Sequence, residues 1–335
     1  MIEHKYPLDV RPEDLAPWLA PADVQQVTPM PGWHNSIFRV DVVDGTRFVL
    51  RVNVPEEPAE YVEPTLRIAG AYSSRLKFVP APIQTRSNEL WSPIDGRVAS
   101  LWPFLEGEVR RELTVNHRNS AARVLAEIHT AGTRFLQDGG FPTTWSLRGM
   151  GWRGNRRWSL SRVVGFLSST DVKKPGWVDQ AALISELEAS ANDVSPRLAS
   201  MEEQVYSISA VHGDFYPGNL LFDAGDEIVA VLDWDDARVD WTGWDVGTAL
   251  LEFCAGPAGI DLDATQCSSF IAEYRRAGGA LTEDGRSQLP TLIRGRKLDD
   301  VMYTLDEMAR SVHADWEWCR ISLDAWRQVQ DLERV

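Results

Sequence analysis

The sequence predicts an α+β protein of two lobes. A β-rich N-terminal lobe, residues 1–103, carries one main helix, and a larger, mostly helical lobe fills residues 104–335. Three observations lead there. β-forming residues cluster around the turns Asp44-Gly45 and Asp95-Gly96 in the first hundred residues. Apolar residues recur at helical spacing after Gly107, and Pro103 interrupts a strand-like run where the pattern changes.

The elements follow in order. Ser36 to Val42 and Arg47 to Val52 flank Asp44-Gly45 and read as a hairpin. Glu56 to Leu76 is charged and helix-prone. Pro80 and Pro82 precede a strand near Ile83, and Val98 to Trp102 form another after Asp95-Gly96. Asn119 to Thr130 place Ala122, Leu125, Ala126 and His129 on one helical face. Thr143 to Trp177 is irregular, locally basic and rich in Trp. Ala181 to Leu198 is helical, and Ser207 to Val211 is a short strand. Leu220 to Phe222 and Ile228 to Leu232 form a hairpin around Ala224-Gly225-Asp226, and from Trp244 onward the chain is mostly amphipathic helix.

Composition narrows the function. With 335 residues, 44 % hydrophobic and 25 % charged, the chain suits one large domain or two packed lobes. No run approaches the roughly 18 apolar residues that span a membrane, and the N-terminus lacks the apolar core of a secretory signal. Three scattered cysteines make no metal-ligand spacing and fit a reducing cytoplasm. A net charge of -15 disfavours nucleic acid and favours cationic small molecules. A monomer or homodimer is expected.

The informative stretch is Val211-His212-Gly213-Asp214-Phe215-Tyr216-Pro217-Gly218-Asn219, followed by Val231-Leu232-Asp233-Trp234-Asp235. A short strand delivers Asp214 into a loop, Asn219 precedes an apolar strand, and a second apolar strand ends at Asp233. Oxygen ligands from an Asn and an Asp suit Mg2+, which completes its shell with water and nucleotide phosphates. A carboxylate near the metal but not on it can orient an acceptor hydroxyl and take its proton. These are the parts that phosphoryl transfer needs.

The arrangement resembles the aminoglycoside phosphotransferase and choline kinase-like superfamily, a relative of the protein kinases. The resemblance covers roughly Gly32 to Phe253 and is strongest from Val211 to Asp245. It implies a protein-kinase-like fold, ATP as co-substrate and Mg2+ as cofactor. It makes Asp214 the catalytic aspartate, Asn219 and Asp233 the metal ligands, and Asp245 a structural aspartate tying a helix to the catalytic loop. His212 braces that loop, and Leu125 to His129 resembles the family's helix ending in Leu-x-x-Leu-His, with His129 in a structural role. Asn35 and Ser36 fall in the phosphate-covering loop. Arg51 stands where kinases place a lysine on the α and β phosphates, and an arginine can bind them bidentately. Glu63 matches the helix glutamate that pairs with it, with Glu60 as rival; Pro64 fits only if Glu63 lies in the first helical turn. Trp102 and Phe104 mark a hinge whose backbone bonds adenine.

Two acceptor classes are expected. Asp235, Asp236, Asp240, Glu252, Asp299, Asp300, Asp306 and Glu307, with Trp241, Trp244, Trp316 and Trp318, suit an ammonium-bearing partner, and place an aminoglycoside or amino sugar first. Arg153, Arg156, Arg157 and Arg162 would receive a carboxylate and point to an amino-acid alcohol such as homoserine, placed second; a choline-like amino alcohol is the other member of that alternative. Two other classes are weighed. A protein kinase lacks support, since no activation segment ending Ala-Pro-Glu is present. A silent nucleotide-binding module is disfavoured by the intact Asp214, Asn219 and Asp233.

Overall fold

The computed structural model describes residues 8–32, 35–55, 57–140, 159–201, 207–255, 262–310 and 315–333. In chain order these form β1 (Val24–Met30), β2 (Ser36–Val42), β3 (Arg47–Val52), α1 (Ala59–Ser73), β4 (Ser92–Ile94), β5 (Arg97–Pro103), α2 (Val115–Gln137), α3 (Leu160–Ser168) and α4 (Gln180–Met201). There follow β6 (Ile208–Val211), β7 (Leu220–Phe222), β8 (Ile228–Val231), β9 (Arg238–Trp241), α5 (Thr242–Phe253), α6 (Ala264–Arg276), α7 (Glu283–Arg310) and α8 (Trp316–Gln328). No described helix is long and apolar enough to cross a membrane.

The chain divides into two compact units. One comprises Met1–Glu112 with Gly218–Ala237, the other Leu113–Pro217 with Arg238–Val335. Sequence placed the division at Pro103. The first unit runs further because Glu108 and Phe222 exchange both backbone hydrogen bonds, and because the Val231 N–H reaches the Phe78 carbonyl at 2.7 Å. These bonds bring the β7–β8 hairpin into the first unit.

The first unit is built on an antiparallel sheet of order β1-β2-β3-β5-β4. Strict alternation along β2 buries Phe38, Val40 and Val42 on one face. Leu50 and Val52 of β3 join them with Ala99, Leu101, Leu15 and Trp18, each large apolar side chain contributing about 1.5–3 kcal/mol when fully buried. The same period turns Arg51 to the opposite face of β3. The β4–β5 turn uses Asp95 and Gly96, both left-handed at φ 51° and 71°, the geometry that a two-residue hairpin requires. Helix α1 begins at Ala59, behind Pro58, and buries Val62 and Leu66 against Val98. Sequence missed β1, whose Pro29 and two glutamines obscure the strand pattern; it lies at the sheet edge, where a proline is tolerated.

In the second unit, α2 starts with a reciprocal cap: Thr114 Oγ1 accepts the His117 N–H, and His117 Nδ1 accepts the Thr114 N–H. Strands β6 and β9 pair antiparallel, Val211 opposite Arg238. Strand β9, fully buried, is too short to announce itself in the sequence. Helices α3, α4, α7 and α8 share one apolar core around Leu187, Leu298, Met302, Leu305 and Trp326.

Candidate active site

Within the first unit, the β7–β8 pairing sets two candidate metal ligands. Leu220 lies opposite Val231, and the Leu232 N–H reaches the Asn219 carbonyl at 2.8 Å. Asn219 and Asp233 therefore emerge from the same end of one hairpin. Asp233 sits at φ 58°, a left-handed conformation that Asp and Asn adopt more readily than most residues. Trp234 anchors the turn: its Nε1 donates to the Val231 carbonyl at 2.9 Å, and its ring lies 5.1 Å from that of Tyr72.

Arg51 reaches this turn from β3. Its Nη1 bonds Asp233 Oδ1 at 3.0 Å, and its Nη2 bonds Asp235 Oδ2. Its Nε is buried with no hydrogen-bond partner among the described residues, so the guanidinium keeps a donor in reserve. Asp235 also accepts from Asn35 Nδ2 at 2.9 Å, while Asn35 Oδ1 takes the Val54 N–H at 3.0 Å. The sequence put Asp235 among acceptor-binding acids; it belongs to this arginine instead.

Several expected nucleotide contacts are placed differently. Glu63 is the fifth residue of α1, beyond its first turn, and its carboxylate holds Arg67, one helical turn on, rather than Arg51. Glu60 is exposed. Asn35 is 4 % exposed, with its amide spent on Asp235 and Val54, and Ser36 is buried at the start of β2. The Asn35 amide thus links Asp235 to the Val54 backbone. The Phe104 N–H is already given to the Arg47 carbonyl at 3.1 Å, continuing the β3–β5 ladder, and Trp102 Nε1 bonds Ser100 Oγ at 2.9 Å. Trp33 and His34 lie outside the described residues.

The second unit carries the His212-Gly213-Asp214 loop after β6. Asp245, in the first turn of α5, is fully buried. Its two oxygens accept the His212 and Gly213 N–H groups at 2.7 and 2.8 Å, and His129 Nε2 lies 3.2 Å away. His129 Nδ1 meets the Tyr274 hydroxyl at 2.7 Å. Burial alone would push the Asp245 carboxyl up. The His129 hydrogen bond, the two imidazoles and the Gly213 N–H outweigh it and hold the carboxyl below its ordinary range. Gly213, at φ 88°, turns the chain where a side chain would be strained. His212 Nδ1 accepts the Asp214 N–H at 3.2 Å, and the His212 ring meets Phe215 edge-on.

This network should be costly to break. Asp245→Ala leaves two buried N–H groups and a histidine without their acceptor, and an unfolding free-energy loss of about 2–5 kcal/mol is expected in urea titrations. A lowered folded-state value means that the carboxylate stabilises above the ordinary carboxylate range and ceases to as pH falls through the folded value. Asp245→Asn should therefore lose less stability than the natural protein between neutral and acid pH. A stability–pH curve parallel to that of the natural protein would contradict this.

The acids expected to greet an ammonium are largely committed. Asp240 pairs with Arg238 at 2.8 Å. Asp306, 1 % exposed, holds Arg162 and Arg310. Glu252 and Asp300 both approach Lys297. Trp241 and Trp244 are buried in the second unit, and Trp316 stacks on Phe166. Arg162 serves Asp306, while Arg153, Arg156 and Arg157 lie outside the described residues. Sequence reasoning missed Arg296, which lies 3.5 Å from Asp214 Oδ1; its one local signal is the helical i, i+4 spacing to Asp300.

A family model described as the phosphotransferase enzyme family, APH, matches residues 26–289, well over half of the chain. A homoserine kinase of Afipia carboxidovorans is 28 % identical over 234 residues, 70 % of this chain and 64 % of that protein, so just under two thirds of the relative is covered. A homoserine kinase of Xanthobacter autotrophicus is 27 % identical over 299 residues, 87 % of this chain and 84 % of that protein. Among solved structures, an amicoumacin kinase in complex with AMP-PNP and Ca2+ superposes with a TM-score of 0.67 at 14 % identity, covering 92 % of this chain and 89 % of that one. The chain therefore has the kinase-like fold and belongs to the phosphotransferase enzyme family.

Proposed function

We propose that the protein transfers the γ-phosphoryl group of ATP to the hydroxyl of a small amino-acid alcohol of the homoserine kind. The observation that carries this reading is the similarity to a homoserine kinase over 87 % of this chain and 84 % of the relative. The pairing of Asp240, Glu252, Asp300 and Asp306 with arginine or lysine supports it further. Those acids hold internal cations rather than standing ready for a polycationic sugar, which was the first expectation from the sequence.

In this reading Asp214 orients the acceptor hydroxyl and takes its proton as the new oxygen–phosphorus bond forms. The bond from the γ-phosphorus to the bridging oxygen breaks, and ADP leaves. Asn219 and Asp233 fit Mg2+: an amide oxygen and a carboxylate come from one end of one hairpin, Asn219 buried and Asp233 at 44 % side-chain exposure. When bound, the ion supplies charge neutralisation on the phosphates. Arg51 exchanges its carboxylate partners for phosphate oxygens and has a buried Nε donor to add. Backbone groups alternate in direction along an antiparallel ladder. With the Phe104 N–H on Arg47, the Pro103 carbonyl and the Leu105 N–H are the hinge groups left for adenine.

An ADP-release screen with L-homoserine, choline, an amino sugar and an aminoglycoside tests the acceptor. L-Homoserine is expected to give the highest kcat/KM, at least about tenfold above the others, a difference of about 1.4 kcal/mol in transition-state binding. An aminoglycoside at the top with homoserine at background would overturn the acceptor assignment.

A further inference from the structure

The loop between Asp214 and Asn219 reads Phe215-Tyr216-Pro217-Gly218 and holds no cation. A cation beside Asp214 comes from α7 of the same unit. Arg296, 12 % exposed, donates from Nη1 to the Gly213 carbonyl at 3.2 Å and places Nη2 3.5 Å from Asp214 Oδ1. Its Nε lies 3.1 Å from Asp300 Oδ1. Asp300 is 3.4 Å from Lys297, which is 3.6 Å from Glu252 of α5. Charges thus alternate from the loop through α7 to α5.

We infer that Arg296 is a positioning residue for phosphoryl transfer: its guanidinium pins the Gly213 peptide and the Asp214 carboxylate to α7, with Asp300 fixing the angle of the fork. The inference rests on the reading of Asp214 as the group that takes the acceptor proton. Its physical basis is the planar fork of arginine, which engages three oxygens along fixed directions; a lysine ammonium is a single point and cannot reproduce that geometry. The pin adds to the bonds from the Gly213 N–H to Asp245 and from the Asp214 N–H to His212: those hold the backbone donors, while Arg296 holds the Gly213 carbonyl and the Asp214 carboxylate, beyond a glycine at φ 88°. Displacements of about 1 Å at a reacting group cost on the order of 10²-fold in rate.

The test uses Arg296→Ala, Arg296→Lys and Asp300→Asn in the full chain, with kcat, KM for ATP and melting temperature measured on each. Arg296→Ala should lower kcat by on the order of 10²-fold and leave KM for ATP within about twofold. Arg296→Lys should still lose about tenfold although it keeps the charge. Guanidinium ion added to Arg296→Ala should recover part of kcat, which a merely structural role would not allow. Asp300→Asn should cost less than either. If Arg296→Ala fails to fold, Arg296→Lys decides. Natural kcat in Arg296→Lys, or a fall that merely follows the loss of folded protein with no rescue, overturns the inference. Asp214→Asn, assayed in parallel, separates the two readings: if it is inactive while the Arg296 variants keep natural kcat, only the role of Arg296 falls. If it turns over normally, the reading of Asp214 falls.

Discussion

Asp214→Asn is expected to lower kcat by about 10²–10⁴-fold, the usual contribution of a positioned general base, while magnesium–nucleotide affinity stays within about twofold. That loss corresponds to about 3–5.5 kcal/mol of transition-state stabilisation. The substitution keeps side-chain size and the hydrogen bond from the Asp214 N–H to His212, so the loop should hold its shape. It removes the acceptor of the proton and the negative partner of Arg296. Because Asp214 is partly exposed, little stability should be lost. Rapid-quench turnover and calorimetry with a non-hydrolysable nucleotide check the two halves of the expectation. Weakened nucleotide binding with unchanged turnover at saturation would move Asp214 out of the proton-taking role.

Asp233→Asn should act in the opposite sense. Asparagine tolerates the left-handed φ of 58°, so the backbone strain that Asp233→Ala would add is avoided and only charge is removed. Affinity for magnesium–nucleotide should fall by at least roughly 10–100-fold, the loss that even groups supporting a metal ligand cause. Without metal the outcome reverses. Asp233 is one of two carboxylates on Arg51, and its neutralisation frees that guanidinium for phosphate, so metal-free ADP should bind as well as to the natural protein or better. Calorimetry with and without Mg2+ reads both. Equal weakening in the two conditions would mean that Asp233 supports the nucleotide pocket rather than a metal.

What was legible in the sequence follows from how local the cause is. The β2–β3 hairpin was readable because Asp44-Gly45 and the two-residue alternation act within a dozen residues. The His212-Gly213-Asp214 loop, Asn219, and Asp233-Trp234 were readable because their spacing is set by one strand, one loop and one hairpin. Resemblance to the family also singled out Asp245, and its bonds to the His212 and Gly213 N–H groups agree.

Partners chosen by tertiary packing were not readable. Which carboxylate meets Arg51 depends on where α1 begins. Starting at Ala59, the helix puts Glu63 beside Arg67, and the hairpin end brings Asp233 and Asp235 to Arg51 instead. Which hinge N–H is free depends on the β3–β5 register, which commits Phe104. Arg296 stands more than eighty positions after Asp214, in a helix whose sequence shows only ordinary charge spacing. Acidic composition suggested an ammonium pocket, but it does not reveal that Asp240 and Asp306 are buried on arginines.

Phosphorus NMR of a reaction containing ATP, Mg2+ and L-homoserine tests the joined roles of Asp214, Asn219 and Asp233 most directly. The natural protein should convert the γ-phosphate signal into one phosphate monoester of the acceptor, one per ADP formed, and Asp214→Asn should form none on the same timescale. Inorganic phosphate as the sole product, or an equal monoester signal from Asp214→Asn, would contradict it.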